Sequence, residues 1–158
     1  MNLSGTRPAV SDARLRQLVL DVAASPQRWL HLVRYDPGRR WYQRVLREED
    51  REVWLLSWLP GQRTGFHDHG SSAGAFTVVQ GCLRERTAPG GRPEHTGARL
   101  PQGSVRSFGP WYVHDVMNES AAPAVSVHAY SPPLTTMCRF DVSAGRLVRA
   151  AAETAGQW

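Results

Sequence analysis

Residues 61–69 read Gly-Gln-Arg-Thr-Gly-Phe-His-Asp-His, directly after Pro60. Pro60-Gly61 is a turn signal. On an extended strand, residues two apart face the same side. His67 and His69 would then send both imidazoles into one cavity. An H-x-H alone is a weak metal signature, since a single histidine is most often a surface or hydrogen-bonded residue. His31 and His95 are read that way, His95 because it sits in the Gly/Pro-rich stretch around Gly90 and Gly91.

The surroundings of the pair are rich in short strand signals. From residue 41 onward come WYQRVL, EVWLLSWL, AFTVVQGCLRER, SVRSFG, HDVMN, AVSVHAYS and TMCRFDV. Pro60-Gly61, Pro89-Gly90-Gly91, Pro101-Gln102-Gly103 and Gly109-Pro110 punctuate them. Short runs at this spacing predict an antiparallel sandwich or barrel. A parallel αβ fold needs crossover helices, for which these turns leave no room.

Upstream, residues 11–24 predict one helix. Ser11 or Asp12 can cap it, Leu15, Leu18, Val19 and Val22 form one apolar face, and Pro26 stops it. Residues 28–34 read as a second short helix or turn. The whole chain, 1–158, reads as one domain. It comprises a helical extension to about residue 36, a barrel over about 41–145, and a tail. Residues 151–158 read as frayed.

The charge pattern first hints at a polyanion. The chain has 19 basic residues, all arginine, against 14 acidic ones, and a pI near 10.0. Yet the arginines are scattered, and the group Arg39, Arg40, Arg44 and Arg47 runs into Glu48, Glu49, Asp50 and Glu52. No helix carries a basic stripe interleaved with aromatics, so no nucleic-acid partner is expected. No run reaches the ~18 apolar residues of a membrane span, and residues 1–10 lack the pattern of a signal peptide. Cys82 and Cys138 form no C-x-x-C, so reduced thiols and a cytoplasmic location are expected.

The histidine blocks resemble the two motifs of the cupin superfamily. Gly61 to His69, with Gly81 trailing, matches G-x5-H-x-H. Pro101-Gln-Gly103 and His114-Asp-Val-Met-Asn118 match P-x-G and H-x3-N. The resemblance implies a mainly β cupin jelly-roll, a double-stranded β-helix barrel, with a short helical N-terminal segment. It implies His67, His69 and His114 as metal ligands. Two departures stand out. Ala73 and Gly74 occupy the positions where many cupins carry a ligand glutamate, and ten residues separate Gly103 from His114.

Both departures fit the cysteine dioxygenase type I family, which the chain resembles over roughly residues 41–141. The blocks are Tyr42-Gln-Arg44, Trp58, His114 to Asn118, and Ser126-Val-His128-Ala-Tyr130-Ser-Pro-Pro133. The last is the most specific. The resemblance implies Fe(II) as cofactor, L-cysteine and O2 as substrates, and cysteine sulfinic acid as product. Imidazoles alone would also suit zinc, copper or nickel. The alternatives are a dioxygenase for another small thiol such as 3-mercaptopropionate, or a non-catalytic metal-binding cupin sensor. A monomer is expected.

Ser126, His128 and Tyr130 alternate, so one strand puts all three on one face. The resemblance implies a catalytic relay ending at the Tyr130 phenol. It also implies Arg44 as the group that grips the substrate carboxylate, with Tyr42 beside it and Tyr130 completing the substrate site. Trp58 reads as a core or pocket wall. Gly74 stands where mammalian members carry a cysteine cross-linked to the tyrosine matching Tyr130, so no protein-derived cofactor is expected.

Overall fold

The computed structural model describes residues 10–154. Helix α1 spans Asp12–Ala23. Two 3-10 turns, Pro26–Arg28 and Leu30–Leu32, follow it. The strands are β1 (Trp41–Arg47), β2 (Glu52–Trp58), β3 (Phe66–His67), β4 (Ala73–Gln80), β5 (Cys82–Thr87), β6 (Ala98–Pro101), β7 (Val105–Phe108), β8 (His114–Met117), β9 (Ala124–Ser131), β10 (Thr136–Ser143) and β11 (Arg146–Thr154). They form a five-stranded sheet, β1-β2-β9-β4-β7, and a six-stranded sheet, β11-β10-β3-β8-β5-β6. Every pairing is antiparallel. This is the antiparallel architecture that the strand texture predicts and the mainly β jelly-roll that the cupin resemblance implies, with one N-terminal helix.

Strand alternation decides which side chains reach the barrel interior. On β9, Val125, Val127 and Ala129 point outward into a cluster with Leu15, Val19 and Val22 of α1. Ala124 and Tyr130 belong to the inner cluster, and Ser126 and His128 alternate with the outward residues. All eight residues of β9 are buried, because the helix covers one face and the second sheet the other. On β2, Val53 and Leu55 meet the helix while Leu56 and Trp58 face the interior. Leu15 and Val19 are fully buried, and each such side chain contributes about 1.5–3 kcal/mol.

The helix boundary differs in one detail from expectation. Ser11 occupies the N-cap position, but its side chain makes no capping hydrogen bond. The tail also differs. Residues 151–154 are not frayed; they extend β11 and pair with Thr136 to Arg139 of β10. The Ala-rich sequence has weak strand preference, so the neighbouring strand imposes the conformation. Residues 155–158 lie outside the described residues.

Local polar contacts hold the strands that carry the histidines. Asn118 Nδ2 donates to the Trp58 carbonyl at 2.9 Å and to the Ala122 carbonyl at 2.8 Å. Its backbone clips Gly61 and Gln62. This asparagine thus ties the turn after β2 to the end of β8. Asp115 is fully buried and pairs with Arg63 and Arg86. Gly81 joins β4 to β5 with φ 76°, and a Cβ there would stand 2.6 Å from the Pro123 carbonyl oxygen, so only glycine fits.

The arginines are largely engaged locally. Among the described residues, Arg39, Arg44, Arg47, Arg51, Arg63, Arg84, Arg86, Arg106 and Arg139 each pair with a carboxylate. No described helix is long and apolar enough to cross a membrane.

Candidate metal centre

β3 and β8 pair with His67 directly opposite His114. His69 follows His67 by two residues and returns to the same side. The three histidines are buried, and their ligand atoms lie within 4.8 Å of one another. His67 Nε2 and His69 Nε2 are 3.2 Å apart. The structure thus brings together the three histidines that the cupin resemblance implies.

The donor chemistry fits a metal. Burial drives the His67 and His69 imidazoles well below the ordinary histidine value, and the other histidines of the cluster add to the shift. Both rings are thus neutral, with lone pairs available, as a metal ligand requires. The outer ring nitrogens differ. His67 Nδ1 lies 2.9 Å from the Gly65 carbonyl oxygen, so it donates there. His114 Nδ1 lies 2.8 Å from Glu85 Oε1. His69 Nδ1 has no hydrogen-bond partner among the described residues. Its ring is instead held by stacking, with Phe108 at 5.1 Å and Tyr130 at 4.8 Å between centroids. Phe108 also occupies the space above Gly74, where a Cβ would come within 2.5 Å of its ring.

β9 carries the expected polar row. Trp58 Nε1 donates to Ser126 Oγ at 2.9 Å. Ser126 Oγ is 2.7 Å from His128 Nε2, and His128 Nδ1 is 3.4 Å from the Tyr130 hydroxyl. An indole N–H can only donate. Ser126 Oγ accepts from Trp58 Nε1 and keeps a second lone pair and its own proton for the contact with His128 Nε2. Trp58, Ser126, His128 and the Tyr130 hydroxyl thus form one buried row of polar contacts. Burial lowers the His128 pKa well below the ordinary value and raises that of Tyr130, so both stay neutral. Trp58 is the wall expected from the sequence, and it also anchors this row at Ser126.

The structure does not bring Arg44, the carboxylate-binding residue expected from the sequence, into the cavity lined by the histidines. The Arg44 side chain is 45% exposed and lies 3.5 Å from Glu52 Oε2. It also stands 5.5 Å from the Trp54 ring centroid. Arg44 sits mid-way along β1, opposite Trp54, and shares the buried Glu52 with Arg47. Arg40, two residues before Tyr42, points inward. It lines the cavity with Tyr42, the three histidines, His128 and Tyr130. Its guanidinium stacks 5.0 Å from the Trp58 ring centroid. No carboxylate among the described residues pairs with it, and its Nε is buried without a partner. Burial lowers its pKa to about 10, which still leaves it cationic at pH 7.

The buried neutral histidines make stability pH-dependent. Unfolded histidine protonates near pH 6.5, whereas folded His128 resists protonation. The unfolded chain therefore binds more protons below that pH, and stability is lost as pH falls through it. His128→Gln is expected to reduce the slope of stability against pH between about 6.5 and 5 in metal-free protein, by up to about 1.4 kcal/mol per pH unit. Urea unfolding across this range measures it; an unchanged slope would mean His128 is not a buried neutral group.

Comparison with known proteins agrees with this geometry. The family model described as cysteine dioxygenase type I matches residues 6–143. The chain is 26% identical over 149 residues to cysteine dioxygenase type 1 of Danio rerio, covering 87% of this chain and 73% of that protein. It is 30% identical over 143 residues to that of Rattus norvegicus, covering 82% and 70%. Among solved structures, TT1209 from Thermus thermophilus superposes with a TM-score of 0.58 at 27% identity, over 66% of this chain and 93% of that one. A cupin superfamily protein from Desulfitobacterium hafniense gives 0.55 at 9% identity, over 66% and 87%, which shows the shared fold.

Proposed function

The chain belongs to the cysteine dioxygenase type I family, and from that premise we propose that it oxidises L-cysteine with O2 to cysteine sulfinic acid at an Fe(II) ion held by His67, His69 and His114. More broadly, it is a cupin thiol dioxygenase, a non-haem oxidoreductase acting on a small thiol and O2. The observation that carries the finer reading is Arg40: a partly buried guanidinium with a buried, unpartnered Nε and no carboxylate partner among the described residues, opening on the same cavity as the three histidines. A buried charge needs a partner, and a carboxylate substrate supplies one through two parallel hydrogen bonds.

Family membership favours iron, because neutral imidazoles alone do not select it. When bound, Fe(II) favours the substrate thiolate at neutral pH and holds thiol and oxygen for an intramolecular redox reaction. The chain's own residues do the rest. Arg40 fixes the carboxylate, and Tyr42 stands beside it on the same strand face. Trp54, Leu56, Leu134 and Met137 close the cavity walls and exclude water. Burial keeps the Tyr130 phenol protonated, and His128 beside it positions the hydroxyl, so Tyr130 can donate a proton or hydrogen bond to the substrate. The enzyme reads as a single-domain cytoplasmic monomer with no nucleic-acid partner; Cys82 and Cys138 are both unpaired, as reducing compartments keep them.

Arg40 reads a carboxylate, which 3-mercaptopropionate also has, so the amine must distinguish the two thiols. The names of the relatives favour cysteine. Oxygen uptake by the iron-loaded protein should be faster with L-cysteine than with 3-mercaptopropionate at equal concentration. Equal or faster uptake with 3-mercaptopropionate would transfer the assignment to that thiol.

A further inference from the structure

Glu85 sits on β5 behind the metal ligands and is 3% exposed. Its contacts run in three directions. Oε1 accepts from His114 Nδ1 at 2.8 Å and from the Tyr112 hydroxyl at 3.3 Å. Oε2 lies 3.2 Å from Arg106 Nε. The strand explains the placement. Leu83 and Glu85 alternate inward on β5, while Arg84 and Arg86 turn out to pair with Glu119 and Asp115.

The three cluster histidines are therefore not equivalent. His67 leans on a backbone carbonyl, His69 on aromatic stacking alone, and His114 on a buried carboxylate. Resting on the metal-centre reading above, we propose that Glu85 is a positioning residue: by accepting from Nδ1–H, it locks His114 in the tautomer and ring orientation that present Nε2 to the metal. A carboxylate behind an imidazole also makes it a stronger donor. Arg106 pairs with the other carboxylate oxygen, and the Tyr112 hydroxyl donates to Oε1 beside His114. Glu85 thus places one negative charge next to a site whose direct ligands are all neutral.

Glu85→Gln keeps the shape and removes the charge. Cobalt(II) serves as the probe, with affinity measured by competition against a chelator and the site followed by its visible absorption. Losing such an outer carboxylate typically costs about 10–100-fold in metal affinity, and Glu85→Gln is expected to fall in that range with an altered cobalt spectrum. His31→Ala, at an exposed histidine outside the cluster, should leave affinity and spectrum at wild-type values. Wild-type affinity and spectrum in folded Glu85→Gln would overturn the proposal. Should Glu85→Gln fail to fold, nitrogen-15 histidine spectra of the wild-type metal-free protein read the tautomer directly. A proton on His114 Nδ1 is expected, and a proton on Nε2 would overturn the assignment. Failure of the wild-type protein itself to bind cobalt would instead count against the metal-centre reading.

Discussion

Arg40→Gln is expected to lower kcat/KM for L-cysteine by about 10²–10³-fold, while Arg44→Gln stays within about threefold of wild type. Removing one partner of a desolvated charge pair costs about 2–5 kcal/mol, and each 1.4 kcal/mol is about tenfold. The carboxylate is remote from the sulfur that reacts. Its grip is the same in the bound substrate and the transition state, so most of the loss should appear in KM. Arg40→Lys should fall between, since it keeps the charge but loses the planar fork. Arg44 already has Glu52 as a partner, and steady-state oxygen uptake with each variant separates the two arginines. A large loss in Arg44→Gln with a near-normal Arg40→Gln would return the clamp to Arg44.

The second large effect concerns the cluster itself. Replacing His67, His69 or His114 with alanine should remove tightly bound iron and reduce turnover by at least about 10⁵-fold, the lower range of what holding two reactants together supplies. His31→Ala and His95→Ala are matched controls, because both histidines are exposed. Iron content by mass spectrometry and oxygen uptake measure the two sides together. Retained iron with retained turnover in any of the three alanine variants would remove that histidine from the ligand set.

His67, His69 and the β9 row were legible in the sequence because their logic is local, whereas His114 came from the resemblance to the cupin motifs, since only β3–β8 pairing sets it opposite His67. H-D-H and S-x-H-x-Y need only the two-residue period of a strand. The clamp was harder. Arg40, Tyr42 and Arg44 share one face by the same period, so alternation cannot choose between the two arginines. The choice depends on which end of β1 enters the barrel. One signal was present: Glu48 to Arg51 forms the turn between β1 and β2, so Arg44 is the arginine nearer that turn. Glu85 had a signal too, as the one carboxylate alternating with Leu83 on an inward face. What no local pattern carries is its contact with His114, 29 residues away in sequence, because β5–β8 pairing alone brings them together. Residues 151–154 fall in the same class, ordered by β10 rather than by their own preference.

Oxidation at sulfur is the central step, and the product tests it most directly. The protein is loaded with Fe(II), incubated aerobically with L-cysteine, and the products are identified by mass spectrometry, using isotopically labelled O2. The expected product is cysteine carrying two added oxygen atoms, both from the labelled gas. Cystine as the sole product would contradict the assignment.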